Sequence, residues 1–138
     1  MTQTALTREQ VENAEPGIDL NVMVAEHIFG WRRIAGPTHD YDGAVEHGEV
    51  LIPPNMSEAH AYAMMPPRGS VPIGYFVNRN WSTDMNDAWE VFASSGHRSA
   101  IETNHSGGYI CNIKGADIYE LNAPEAICKA ALLAVLDI

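Results

Sequence analysis

Positive charge is scarce in this chain. Lys and Arg number 8 against 18 Asp and Glu, for a formal net charge of −10 at pH 7 over 138 residues. The basic residues are scattered, and only Arg32 and Arg33 are adjacent. Direct binding of duplex nucleic acid is therefore not expected, because it needs clustered cations facing phosphates. A small basic pocket for one anionic ligand is compatible with this balance. So is an acidic surface turned toward a basic partner, although solubility is the simpler explanation.

Cysteine is rare too. Cys111 and Cys128 both lie in apolar runs, which predicts buried, reduced thiols and a reducing compartment. No run is long and apolar enough for a bilayer: the most apolar stretch, Ala123 to Leu136, is short and contains Glu125 and Lys129. The Thr/Gln-rich start lacks a basic segment followed by an apolar core, so no signal peptide and no membrane contact are expected.

Catalytic signatures are absent as well. No Walker loop, dinucleotide fingerprint, HxH, HExxH or paired CxxC spacing occurs. His39, Asp40, Asp42 and His47 share one polar stretch, with His60 nearby in sequence, but solvated side chains explain that stretch better than a metal site. Ser106 beside His105 lacks the strand–elbow–helix context of a nucleophile, and Gly107-Gly108 reads as a hairpin turn. No enzyme activity and no cofactor are expected.

What is present is an ordinary globular core. The hydrophobic fraction is 46%, and the length suits one domain that needs no covalent staple. Residues 1–14 read as a tail plus a short helix, with Thr7 and Gln10 spaced as a capping box. Pro16-Gly17 breaks it. A second helix is expected from Ile18 to Phe29, stopped by Gly30, then a short strand at Trp31 to Ile34. Residues 36–48 read as a polar loop, followed by a strand at Glu49 to Ile52 and a short helix from Ser57 to Met65. Val71 to Asn78 resembles a strand.

A helix then starts at Thr83 or Asp84, with Ser82 or Thr83 as cap and Met85, Ala88, Trp89 and Phe92 as its apolar stripe. That pattern makes Trp89 a core residue. Arg98 to Thr103 and Tyr109 to Lys114 read as an antiparallel pair. The closing helix is capped by Asn122, admits Pro124 in its first turn, and is apolar almost all round except at Lys129.

Three segments together resemble the phage ABA sandwich domain family, small proteins encoded by bacteriophages and prophages. They are Glu15 to Trp31, ending in Gly30-Trp31; the helix start from Ser82-Thr83-Asp84 to Trp89-Glu90; and the closing helix from Ala123 to Leu133. The stretch at about 36–70 departs from the family's short pattern and reads as an insertion. The resemblance implies an α+β fold over 15–138, a three-layer α-β-α sandwich with a small, mainly antiparallel sheet between helices. It implies a phage origin, hence the host bacterial cytoplasm, and it brings no catalytic residues.

The residues best suited to hold a ligand flank that middle helix. Arg79 offers charge, Trp81 a stacking face, and Ser82 and Thr83 the free N–H groups of a helix start. His97 and Arg98 follow the same helix. That set suits a small anionic, nucleotide-like molecule. The resulting expectation is a sponge-like, non-catalytic, homo-oligomeric protein that sequesters a nucleotide-type immune signal to counter anti-phage defence. The alternative is an acidic interaction module that inhibits a host protein.

Overall fold

The structure, a computed structural model, describes residues 6–35, 49–65, 72–94, 99–103 and 107–138. Helix α1 spans Arg8–Asn13 and is opened by the expected capping box. The Thr7 hydroxyl accepts from the Gln10 N–H at 3.2 Å, and the Gln10 side chain accepts from the Thr7 N–H at 2.9 Å. Helix α2 spans Ile18–His27 and starts after Gly17, whose φ of 121° only glycine adopts without strain.

Strand β1 (Arg32–Ala35) pairs antiparallel with β2 (Glu49–Ile52), placing Arg33 opposite Leu51. Helix α3 (Glu58–Met64) is capped by the Ser57 hydroxyl, which accepts from the His60 N–H. Helix α4 covers Met85–Ser94. Strands β3 (Ser99–Thr103), β4 (Tyr109–Ile113) and β5 (Ala116–Glu120) form a second antiparallel sheet in that order. Helix α5 (Ala123–Leu136) closes the chain, with the Asn122 side chain accepting from the Glu125 N–H at 3.0 Å.

The class is therefore α+β with small antiparallel sheets, as expected. Helix α5 is the hub. It packs on β4 and β5 along one side and meets α4, α2 and α1 along others. Every residue from Ala123 to Ala134 is buried, which explains why its sequence is apolar almost all round. Leu132, Ile127, Cys128 and Leu133 share one cluster with Leu20 and Val24 of α2, Val91 of α4, and Cys111 and Ile113 of β4. A smaller cluster under α3 holds Ile34, Val50, Ile52, Ala61 and Met65.

Lys129, the one cation inside that helix, is only 3% exposed. Its ammonium donates to Glu125 at 2.7 Å and to the Glu12 carbonyl at 2.8 Å, with Glu120 at 3.5 Å. A buried ammonium requires such partners. The arrangement also ties α1 to α5. Burial holds the Glu120 carboxyl above its ordinary range. A hydrogen bond shared with Glu125 acts in the same direction, and Lys129 opposes it.

Several local expectations change. The stretch around Ile73–Phe76 is a run of turns rather than a strand: Tyr75 donates to the Pro72 carbonyl and Val77 to that of Gly74. A ladder-like bond joins it to β2, from the Leu51 N–H to the Ile73 carbonyl. Gly74 lies so close to α2 that a Cβ there would run into the Ile18 side chain. Strand β5 follows a Lys114-Gly115 turn with both φ values positive, the geometry that hairpin twist favours. Sequence reading passed over that two-residue turn. Helix α4 turns Ala88 and Val91 inward and leaves Trp89 47% exposed, so Trp89 is not core. Trp81, just ahead of the helix, takes the core position that Trp89 was expected to fill.

Candidate functional site

The start of α4 was the expected ligand site, and its geometry follows from three acidic or polar side chains. Asp84 caps the helix: one carboxylate oxygen accepts from the Asn86 N–H at 2.8 Å and from the Asp87 N–H at 3.4 Å. Asp87 turns back to accept from the Asn80 N–H at 2.8 Å. The N–H groups and positive dipole end that would attract an anion thus already face the chain's own carboxylates.

Trp81 is 2% exposed. Phe29 stacks on it with ring centroids 5.1 Å apart, Trp31 meets it edge-on at 6.3 Å, and its indole N–H donates to Glu90 at 3.1 Å. No face is left to stack on a base. Ser82 is fully buried. Its hydroxyl donates to the Asn21 side chain at 2.7 Å and accepts from the Gly17 N–H at 2.8 Å, while its own N–H donates to Asn21 at 3.0 Å. Ser82 therefore pins the start of α4 to the start of α2.

Arg79 is exposed, with one guanidinium nitrogen 3.7 Å from Asp87, and Thr83 is exposed with its N–H on the Asn80 carbonyl. These two stay accessible, but the structure does not bring them together with an open aromatic face. His97 and Arg98 lie outside the described residues, as do His39, Asp40, Asp42 and His47. Among the described residues, no group of three His, Cys, Asp or Glu side chains converges as a metal site would.

Desolvation dominates at the two thiols. Burial pushes the Cys111 thiol up to about 11 and raises Cys128 further still, with the neighbouring Cys111 and Glu125 adding to it. Both cysteines are free and buried, so neither is poised as a nucleophile near neutral pH.

A groove of about 680 Å³ opens on the other side of α2. Its apolar wall comes from Val22 and Met23 of α2, with Leu6 and Ile73 closing the sides. Glu15 and Asp19, at the α1–α2 turn, supply carboxylates to the rim, and Glu26 and Arg33 form the far end. Arg33 is spent on its neighbours. It donates to both oxygens of Glu26, one of them at 2.9 Å, and to Glu49 at 2.9 Å. Those carboxylates hold the guanidinium proton more firmly than usual, against the cost of burial. This groove went unrecognised in the sequence because its walls come from segments far apart along the chain. Arg33, half of the single basic doublet, was the one residue that drew attention.

A second hollow, of about 410 Å³, lies beside the cap of α3 and is lined by Asn55, Met56, Ser57 and His60. It is small and lacks the apolar wall of the first.

Residues 70–132 match the family model of the phage ABA sandwich domain. Over that segment the chain is similar to the phage ABA sandwich domain. The matched segment takes in α4, the β3–β4–β5 sheet and most of α5. The phage ABA sandwich domain implies α-β-α layering, and the mixed α+β class with small antiparallel sheets agrees with it. A solved phage protein from Bacillus cereus ATCC 14579 is similar along its length, at 19% identity and a TM-score of 0.50, covering 100% of this chain and 94% of that one. At that identity the likeness speaks for the fold alone. No curated protein matches the chain. Among the described residues, no helix is long and apolar enough to cross a membrane. Apart from Ile73, the groove is built from residues that precede the matched phage ABA sandwich domain segment.

Proposed function

We propose that this protein is a phage-encoded, non-catalytic binding protein that sequesters a small molecule, in a sponge-like role against bacterial defence. The observation that carries the reading is the α2 groove. Its volume falls in the range of small-molecule sites, and it sets an apolar wall beside the exposed carboxylates of Glu15 and Asp19. The phage ABA sandwich domain supports the phage setting. The ligand position moves from Arg79 and Trp81 to the groove, because the α4 start is capped by its own carboxylates and Trp81 is covered. The nucleotide-type ligand loses its stacking platform in the same way, so the reading kept is sequestration of a small molecule.

The test is mass spectrometry of small molecules released from protein purified out of a defence-positive host, with amide chemical shifts mapped on re-addition. A stoichiometric compound that shifts Val22 and Met23 is the expected result. Released material that is absent from every preparation, or shifts confined to Arg79 and Thr83, would defeat the proposed site. Calorimetry against cyclic nucleotides and cyclic ADP-ribose isomers tests the original ligand class directly.

A second reading is favoured by α4. Trp89 is 47% exposed and meets Phe92 edge-on at 5.4 Å, beside the exposed Glu90. That aromatic pair beside an acid suits contact with another protein, whether a basic host protein or a second copy. Light scattering of the wild type and of Trp89→Ala separates the two. A lower mass for the variant means self-association, and an unchanged monomer leaves a host partner, sought by salt-sensitive pull-down.

A further inference from the structure

The groove carries a charge pattern that narrows what it takes. Arg33 is the cation at its far end, and both arms of its guanidinium are committed to Glu26 and Glu49. Glu15 and Asp19 differ: both are exposed at the rim, and among the described residues neither forms an ion pair or side-chain hydrogen bond. Counting Glu15, Asp19 and Glu26 against Arg33, the lining carries more negative than positive charge at neutral pH. Behind those free carboxylates stand Val22, 9% exposed, and the half-buried Met23 and Ile73, an apolar wall with no polar partner to offer.

We infer that the groove binds a small organic cation, an amine carried on an apolar or aromatic body. The body lies against Val22, Met23 and Ile73, and the ammonium points to Asp19 and Glu15. The chain's net charge of −10 adds a field that draws cations and repels phosphates, which sets the groove apart from a nucleotide site. This inference rests on the groove reading proposed above and adds the ligand's charge class to it.

Two probes with one ring and opposite charge test it: tryptamine and indole-3-acetate, each titrated against labelled full-length protein by NMR. Tryptamine should shift Val22, Met23 and Asp19, and indole-3-acetate should bind at least about tenfold more weakly. Asp19→Asn and Glu15→Gln, both at exposed positions, should keep the wild-type Tm while weakening tryptamine roughly three- to tenfold each. Added salt should weaken tryptamine in the wild type more than in the double variant. Equal binding of the two probes in the groove, or tryptamine affinity unmoved by both substitutions, would overturn the cation class and leave the groove as a site. Shifts from neither probe in the groove would overturn both the class and the site.

Discussion

The start of α4 and the groove along α2 share the same neighbourhood of the chain's fold, yet they are opposites. At α4 every group that could meet a ligand has been used internally. Asp84 and Asp87 hold the free N–H groups, Ser82 is locked to Asn21 and Gly17, and Trp81 is enclosed by Phe29 and Trp31. In the groove two carboxylates are free and an apolar wall is open. The first region looks functional in sequence because capping, charge and aromatic residues are concentrated there. Such concentration also describes a well-made structural joint, and availability is decided by what surrounds each group.

The largest test of this contrast compares the two tryptophans. Trp81→Ala should cost about 3–5 kcal/mol, read as a fall in the urea midpoint, because it empties a covered site in the main cluster. Trp89→Ala should cost at most about 1.5 kcal/mol, the scale of its edge-on contact with Phe92. Similar losses in the two variants would mean that the buried and exposed assignments are reversed.

Next is the joint itself. Ser82→Ala leaves the Gly17 N–H and the Asn21 side chain short of a partner in a buried setting, with an expected cost of about 1–3 kcal/mol in the same urea measurement. A cost below about 0.5 kcal/mol would show that water replaces the hydroxyl. Smaller again is the cap. Asp84→Ala should lose about 1 kcal/mol and Thr83→Ala no more than about 0.5 kcal/mol, which reverses the order expected if Thr83 were the cap.

The smallest effect is expected at Glu120, beside Lys129. Its carboxyl titrates above its ordinary range in the folded protein, chiefly through burial. Between the ordinary carboxylate range and its raised folded value, the folded state therefore holds a proton that the unfolded chain has released. The stabilisation from this group is complete below the ordinary range and is lost as pH rises through the folded value. Thermal melts across mildly acidic pH should show this decline in the wild type and a flatter profile in Glu120→Gln. An identical slope in both would remove Glu120 as its source.

Legibility followed range along the chain. The capping box at Thr7, the Asn122 cap, the Gly30 stop, the β1, β2 and β4 strands and the burial of α5 all depend on residues within a few positions of one another, and all were readable. Strand β5 was readable too, through Lys114-Gly115, but was missed. The apparent strand at Val71 to Asn78 failed for a non-local reason: Gly74 is pressed against Ile18 and Val22 of α2, which favours turns over a straight ladder. At the expected site Ser82 or Thr83 was the expected cap, but Asp84 takes that place because the Ser82 hydroxyl is spent on Asn21 and Gly17.

Composition and contacts a few residues apart were enough for the α+β class, the caps at Thr7 and Asn122, the buried cysteines and the acidic balance of the chain. Which tryptophan faces inward was settled by long-range packing. That packing also committed Arg33 to Glu26 and Glu49, and it assembled the groove from Leu6, Val22, Arg33 and Ile73. Those outcomes depend on which distant segments come to lie side by side, and burial and ion pairing take their energy from that proximity rather than from order along the chain.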